Sequence, residues 1–436
     1  MADESSILAG AMGAVLGYLG SEAAETIIFE RLLWPERFYN GGTNISTLLK
    51  QALFLTMGGP IHGAALKTLD KMGRHGLYHG SRRGDFLGTA FYADTGVEFC
   101  FSGVGRDGKT DEDKEARNAF WVEVVRRVNH EQLGRDDNFP KFDAEDLEKG
   151  GCATRFRALQ AVHHLMLRPA DREEQKGRKD TATITSPSTG STKIVQEGNK
   201  TWATVLGILC SELVAIITAI IAILVAGPRG GWWIAIYFFV PLILKLLAFV
   251  FSVHREPLDS LSDLAQIGTL DQVQSCRILD KHDRSFFLVI TGPPAVVTQF
   301  FRHYGHPLRH TGRDRRREVL SISIIYAFVL YFPVGLAANL WMDETLQYLW
   351  LAYQLYTVFA MHVVRLMVWQ GCGMTQERVA GSLVDGETRA VWLRSWPGTT
   401  VEASLWTTYV PSVACAEQTV GMLMEQSTIM NDYGFE

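Results

Sequence analysis

Two long stretches of this chain are almost without charge. Between Trp202 and Val253 the only charged residues are Glu212, Arg229 and Lys245; between Val319 and Trp369 they are Asp343, Glu344 and Arg365. Each stretch is long enough for two helices of about 20 residues, the length that crosses a hydrocarbon core of about 30 Å, with a tight turn between them. Gly227-Pro228-Arg229-Gly230-Gly231 supplies the first turn and Met342-Asp343-Glu344-Thr345 the second. Runs such as Leu213–Ala226 and Trp232–Leu244 have almost no polar stripe, which sets them apart from the core helices of a soluble domain. The expected fold class is an α-helical polytopic membrane protein, with four transmembrane helices as two hairpins, up to six in all, and cytosolic α+β segments.

Average composition conceals this partition. Over 436 residues the chain is 47% hydrophobic and 20% charged, with a formal net charge of −5. These values exclude a disordered or low-complexity chain and a strongly basic nucleic-acid binder. Six cysteines are too few for a disulfide-dense scaffold.

Residues 1–66 read as Gly/Ala-rich helices and hold the two additional candidates for membrane entry. In the first, Ile7–Gly20, residues Ser6, Gly10, Gly13, Gly17 and Ser21 recur at steps of three and four, placing small residues along one helix face where a neighbour can approach closely. The second, Ile45–Leu66, is interrupted by Lys50, Gly58, Gly59 and Pro60. Acidic residues near the start, Asp3 and Glu4, stand where a signal peptide would be basic.

Orientation follows from the basic residues. Lys193, Lys200, Arg255, Arg302, Arg309, Arg313, Arg315, Arg316, Arg317 and Arg378 flank the hairpin bases, whereas the two turns carry Arg229 alone. The positive-inside rule then places the termini and every long polar segment in the cytosol. The cluster Arg313, Arg315, Arg316 and Arg317 also suits anionic lipid headgroups. On this topology the sequons at Asn44 and Asn199 stay bare, and Cys100, Cys152, Cys276, Cys372 and Cys415 stay reduced. Cys372, next to the last span, is a candidate for palmitoylation.

The polar segments divide as follows. Residues 67–168 form a mixed, mainly helical cytosolic region, with strand-like pieces at Leu87–Tyr92 and Val97–Phe101 and helical patterns over Lys114–Leu133 and Ala144–Leu167. Residues 169–201 read as a disordered linker. After the hairpin at 202–253, residues 254–318 form a ββα segment, with strands Val273–Leu279 and Ser285–Thr291 and a helix Ala295–Tyr304. Beyond the second hairpin, at 319–369, residues 370–436 form a β-meander from Arg378–Val384, Thr388–Trp396 and Thr399–Thr407, then a helix Val413–Gln426. Neither of the last two segments has enough strands to stand alone, so they are expected to pack as one α+β domain.

Chemistry-bearing residues are few. Taking Arg229 as the hairpin apex, Glu212 and Lys245 lie at matching depths on antiparallel helices, so that the two charges offset one another inside the membrane. Such a pair is either part of an ion pathway or a structural lock on hairpin register. His303, His306 and His310 gather beside the membrane and are candidate metal ligands. The HxxxH spacing occurs at His75/His79 and at His306/His310, but HxxHH is absent, so the full set of histidine boxes of membrane di-iron enzymes is not matched. Phosphate loop, nucleophile elbow and HEXXH are absent as well, and no cofactor is called for.

The expected function is that of a non-catalytic membrane anchor, sensor or assembly protein, whose partners are the bilayer and a soluble protein or a second copy of the chain. The alternatives are a channel or transport component using Glu212 and Lys245, and a membrane-bound metal-dependent enzyme using the histidines.

Overall fold

The computed structural model describes residues 4–40, 44–74, 95–101, 113–128, 159–169, 193–197, 201–230, 232–252, 255, 258, 272–281, 283, 285–305, 314–385, 389–395 and 400–432. They fall into two compact units. One comprises Met1–Phe91, Asn199–His254 and Pro307–Thr375; the other comprises Tyr92–Gly198, Arg255–His306 and Gln376–Glu436.

The first unit is helical. Its helices are α1 (Glu4–Ala23), α2 (Ile27–Leu33), α3 (Pro35–Phe38), α4 (Ile45–Phe54), α5 (His62–Arg74), α6 (Trp202–Ser211), α7 (Leu213–Gly230), α8 (Trp232–Val250), α9 (Asp314–Asn339) and α10 (Glu344–Leu366). Two segments, Trp232–Val250 and Val319–Asn339, are each long and apolar enough to cross a membrane. The pair α6 and α7, bent by 55°, has the same apolar length taken together, as one broken span or as a re-entrant loop. Of the four spans expected, the described residues show two or three of this length and apolar character. α10 has the length, but its inward face carries Gln347, Tyr353, Gln354 and Thr357, all buried, and these dilute its apolar character.

Outward faces of these helices are apolar. Ile220 and Leu224 on α7, Ile236 and Ile243 on α8, and Leu330 and Val334 on α9 are all exposed. Water disfavours a continuous surface of this kind, and lipid does not. α1 docks through its small residues: a Cβ at Gly17 would lie 2.6 Å from Phe332 Cε1, and one at Gly20 would lie 2.1 Å from Pro60 Cγ and 3.0 Å from Val358 Cγ2. Only glycine allows that approach.

Among the described residues, the second unit is built on one eight-stranded sheet. Its strands are β1 (Val97–Phe101), β2 (Lys114–Glu115), β3 (Gln160–Pro169), β4 (Lys193–Glu197), β5 (Gln274–Asp280), β6 (Phe287–Gly292), β7 (Ala390–Ser395) and β8 (Thr400–Val410), in the order β2-β1-β5-β6-β3-β8-β7-β4. β3 runs parallel to β6 and β4 parallel to β7, and the other neighbours are antiparallel. The segments 254–318 and 370–436 thus meet in one sheet, joined by strands from 67–201. Helices Phe120–Arg127 and Thr375–Asp385 supply Phe120, Trp121, Val379 and Leu383 to the larger core, and Val413–Asp432 packs Ala416, Val420 and Leu423 near Val162, Phe287 and Val289.

Several local expectations change. Residues 160–169 are the central strand β3 and not the end of a helix. Val162 belongs to one core while Leu165 and Leu167 belong to the other, and a strand buried on both faces loses the alternation that would mark it. The rest of the expected helix, Leu87–Tyr92 and most of the linker lie outside the described residues. Within the linker, Lys193–Glu197 is a strand whose backbone pairs with β7 although Ile194 is exposed and Val195 is buried. Arg378–Val384 belongs to a helix, because Val379, Ala380 and Leu383 fall on one helical face. The helix expected over Lys114–Leu133 is confined, among the described residues, to Phe120–Arg127. The one expected over Ala295–Tyr304 is α-helical over Pro294–Thr298 and a wider π turn over Gln299–His303.

Cys100, Cys210, Cys276 and Cys372 are thiols, but Cys415 is disulfide-bonded, contrary to the expectation that it stays reduced. Tertiary proximity decides such pairing, and sequence spacing does not report it.

Candidate functional site

Two helix interruptions meet inside the helical unit. The first lies between α4 and α5, where the chain is unwound from Leu55 through Gly58-Gly59-Pro60 to Ile61. The segment presses on α10: a Cβ at Gly58 would sit 1.8 Å from the Tyr353 hydroxyl, and Gln354 donates to the Gly58 carbonyl at 3.3 Å. The second lies at Glu212, which ends α6 and whose carbonyl accepts the Ile216 amide of α7 at 3.0 Å. Each break frees backbone groups that a continuous helix would satisfy.

Glu212 and Lys245 join the breaks. Both are buried, at 0% and 2% relative exposure, and they form an ion pair between Glu212 Oε1 and Lys245 Nζ. The Glu212 carboxylate also accepts the Met57 amide at 2.9 Å and the Thr56 hydroxyl at 2.8 Å. Lys245 donates to Ser211 Oγ at 2.8 Å and to the Leu55 carbonyl at 3.3 Å. An ammonium has three N–H groups, so Glu212, Ser211 and Leu55 use all of them. Thr56 Oγ1 lies 3.2 Å from the Tyr353 hydroxyl, and the Tyr39 ring centroid is 5.7 Å from Lys245 Nζ.

Helix dipoles favour the same arrangement. The ammonium sits at the C-terminal ends of α4 and α6, where partial negative charge accumulates, and the carboxylate sits at the N-terminal end of α7. A buried ion pair costs several kcal/mol of desolvation per ion, which is recovered only with good geometry and further hydrogen bonds. Both conditions are met here.

The structure therefore brings Glu212 and Lys245 together, and adds Leu55, Thr56, Met57, Ser211 and Tyr353, which sequence reasoning missed. Their signal was the Gly58-Gly59-Pro60 interruption, visible in the sequence as a flaw in a span and now seen as the second half of a junction. Leu55, Thr56 and Met57 also line an apolar cleft with Ile28, Met361 and Val364.

Other candidate residues are not brought together. His303 is exposed at the end of the π turn, while His306 and His310 lie outside the described residues, as do His75 and His79. His163 and His164 are neighbours on β3 and point to opposite faces, towards Thr407 at 3.0 Å and Thr291 at 2.8 Å. Among the described residues no three His, Cys, Asp or Glu groups are placed to hold a metal ion. In the basic cluster Arg316 is exposed and Arg317 half-buried, Arg315 lies in α9, and Arg313 is outside the described residues. Cys372 is 2% exposed, so the thiol expected to accept a palmitoyl group is closed off by packing. Searches of protein families, curated proteins and solved structures found no match to this chain.

Proposed function

We propose that this chain is a non-catalytic, multi-pass membrane protein in which the helical unit anchors the sheet unit, serving as an anchor, sensor or assembly platform. The observation that carries the proposal is the saturation of Lys245: each of its N–H groups is spent on Glu212, Ser211 or Leu55, at full burial. A group so engaged supports a structural lock across two helix breaks. The bilayer is the first partner, and the basic cluster Arg313, Arg315, Arg316 and Arg317 suits anionic headgroups. A soluble protein, or a second copy of the chain, is the second partner.

Orientation rests on two opposed signals. The basic residues that flank both hairpins favour a cytosolic sheet unit, whereas a disulfide at Cys415 suits an oxidising compartment. We follow the charge bias, which rests on basic residues at the bases of both hairpins, whereas the opposing signal is a single disulfide. N-linked glycan at Asn199 in the expressed protein overturns this orientation.

The half-helix ends around Lys245 favour a second reading, a channel or transport component. Reconstitution into liposomes decides between the two. An anchor gives cation flux equal to that of empty vesicles, whereas flux above that level, lost in Glu212→Gln, rejects the anchor in favour of transport.

A further inference from the structure

The oxygens around Lys245 have the composition of an alkali-cation cage. One carboxylate oxygen comes from Glu212, one hydroxyl from Ser211 and one main-chain carbonyl from Leu55, the residue at which α4 unwinds. Thr56 Oγ1 donates at 2.8 Å to Oε2 of the same carboxylate and so holds it in place. Unwound carbonyls and the C-terminal ends of interrupted helices are the groups that coordinate monovalent cations within membrane proteins. Here two such helix ends converge on one point, and the net charge of the oxygen shell without the lysine is −1.

We propose that this junction is a monovalent-cation site whose resident cation is the ammonium of Lys245, and that Na+ or K+ occupies it when the ammonium is removed. The proposal rests on the structural role of the pair, to which it adds a ligand class. The cage is buried and its donors are fixed by backbone breaks, so that without Lys245 the Glu212 charge remains buried and unmatched. A free alkali ion restores neutrality with the same oxygens. Larger organic cations such as N-methylglucamine do not fit a space vacated by one ammonium group.

The test uses the full chain in detergent, as wild type, Lys245→Met and the double variant Glu212→Gln/Lys245→Met. Thermal unfolding is followed while NaCl or KCl replaces N-methylglucamine chloride at constant ionic strength. Lys245→Met is expected to gain about 3–5 °C, saturably, between roughly 1 and 100 mM alkali cation. Wild type and the double variant are expected to stay within about 1 °C. Equal response of all three proteins overturns the proposal, as does a Lys245→Met protein that stays misfolded at every Na+ and K+ concentration while the double variant folds. The structural lock fails separately, if Lys245→Met is as stable as wild type in N-methylglucamine alone.

Discussion

The Glu212 carboxylate accepts the backbone amide of Met57 at 2.9 Å, across 155 positions of sequence. Met57 belongs to the unwound stretch after α4, and Glu212 stands at the break between α6 and α7. One side chain therefore satisfies a main-chain group that a second, distant helix has left open. A buried main-chain group left without a partner costs about 1–3 kcal/mol.

The pair is expected to behave as one unit under mutation. In the absence of alkali cations, Lys245→Leu or Glu212→Gln alone leaves an unmatched buried partner, and each is expected to cost about 3–5 kcal/mol. The double variant Glu212→Gln/Lys245→Leu is expected to recover most of the loss. Unfolding midpoints measure this; additive losses in the double variant contradict a structural lock.

Docking of α1 depends on its glycines to unequal degrees. Gly20→Ala forces a Cβ to within 2.1 Å of Pro60 Cγ, and is expected to cost about 1–3 kcal/mol. At Gly10 the nearest atom is Leu340 Cδ2 at 3.9 Å, so Gly10→Ala meets only ordinary contact and gains up to about 1 kcal/mol of helix propensity. Thermal unfolding in detergent separates the two, and equal effects would show that α1 does not dock as described.

Acid is expected to destabilise the sheet unit through His164. Burial holds this imidazole neutral, lowering its pKa to about 4, and its Nε2 lies 2.8 Å from Thr291 Oγ1. The unfolded chain takes up a proton near pH 6.5, while the folded chain resists until about 4, so stability is lost as pH falls through that window. The loss reaches about 3 kcal/mol at most. His164→Gln should flatten this part of the pH profile of unfolding; an unchanged slope between pH 6.5 and 4 assigns the acid sensitivity elsewhere.

Burial of Cys372 predicts slow chemistry. In a variant keeping Cys372 as its single cysteine, a maleimide should react readily only after denaturation, since the residue is 2% exposed in the fold. Replacing it by serine should leave membrane partition unchanged. Rapid labelling of the native protein, or a palmitoyl group at this position, contradicts the packing.

What sequence revealed and what it hid divide along a physical line. The charge-free stretches, the small-residue face of α1 and the opposed charges of Glu212 and Lys245 are local or periodic, and can be read without knowing what lies beside them. Strand β3 could not be read so, because its two apolar faces belong to different cores. Lys193–Glu197 could not either, because an edge strand is held by the backbone of β7 and needs little apolar pattern of its own. α10 has the length of a span, but its buried Gln347, Gln354 and Thr357 make sense only against the neighbours they touch. Residue order by itself determined that apolar helices and a water-compatible part share one chain, since that follows from where charge is absent. Only the tertiary structure decided that Gly58-Gly59-Pro60 and Glu212 form one junction, because hydrogen bonds between two broken helices depend on approach in space and leave no spacing in the sequence.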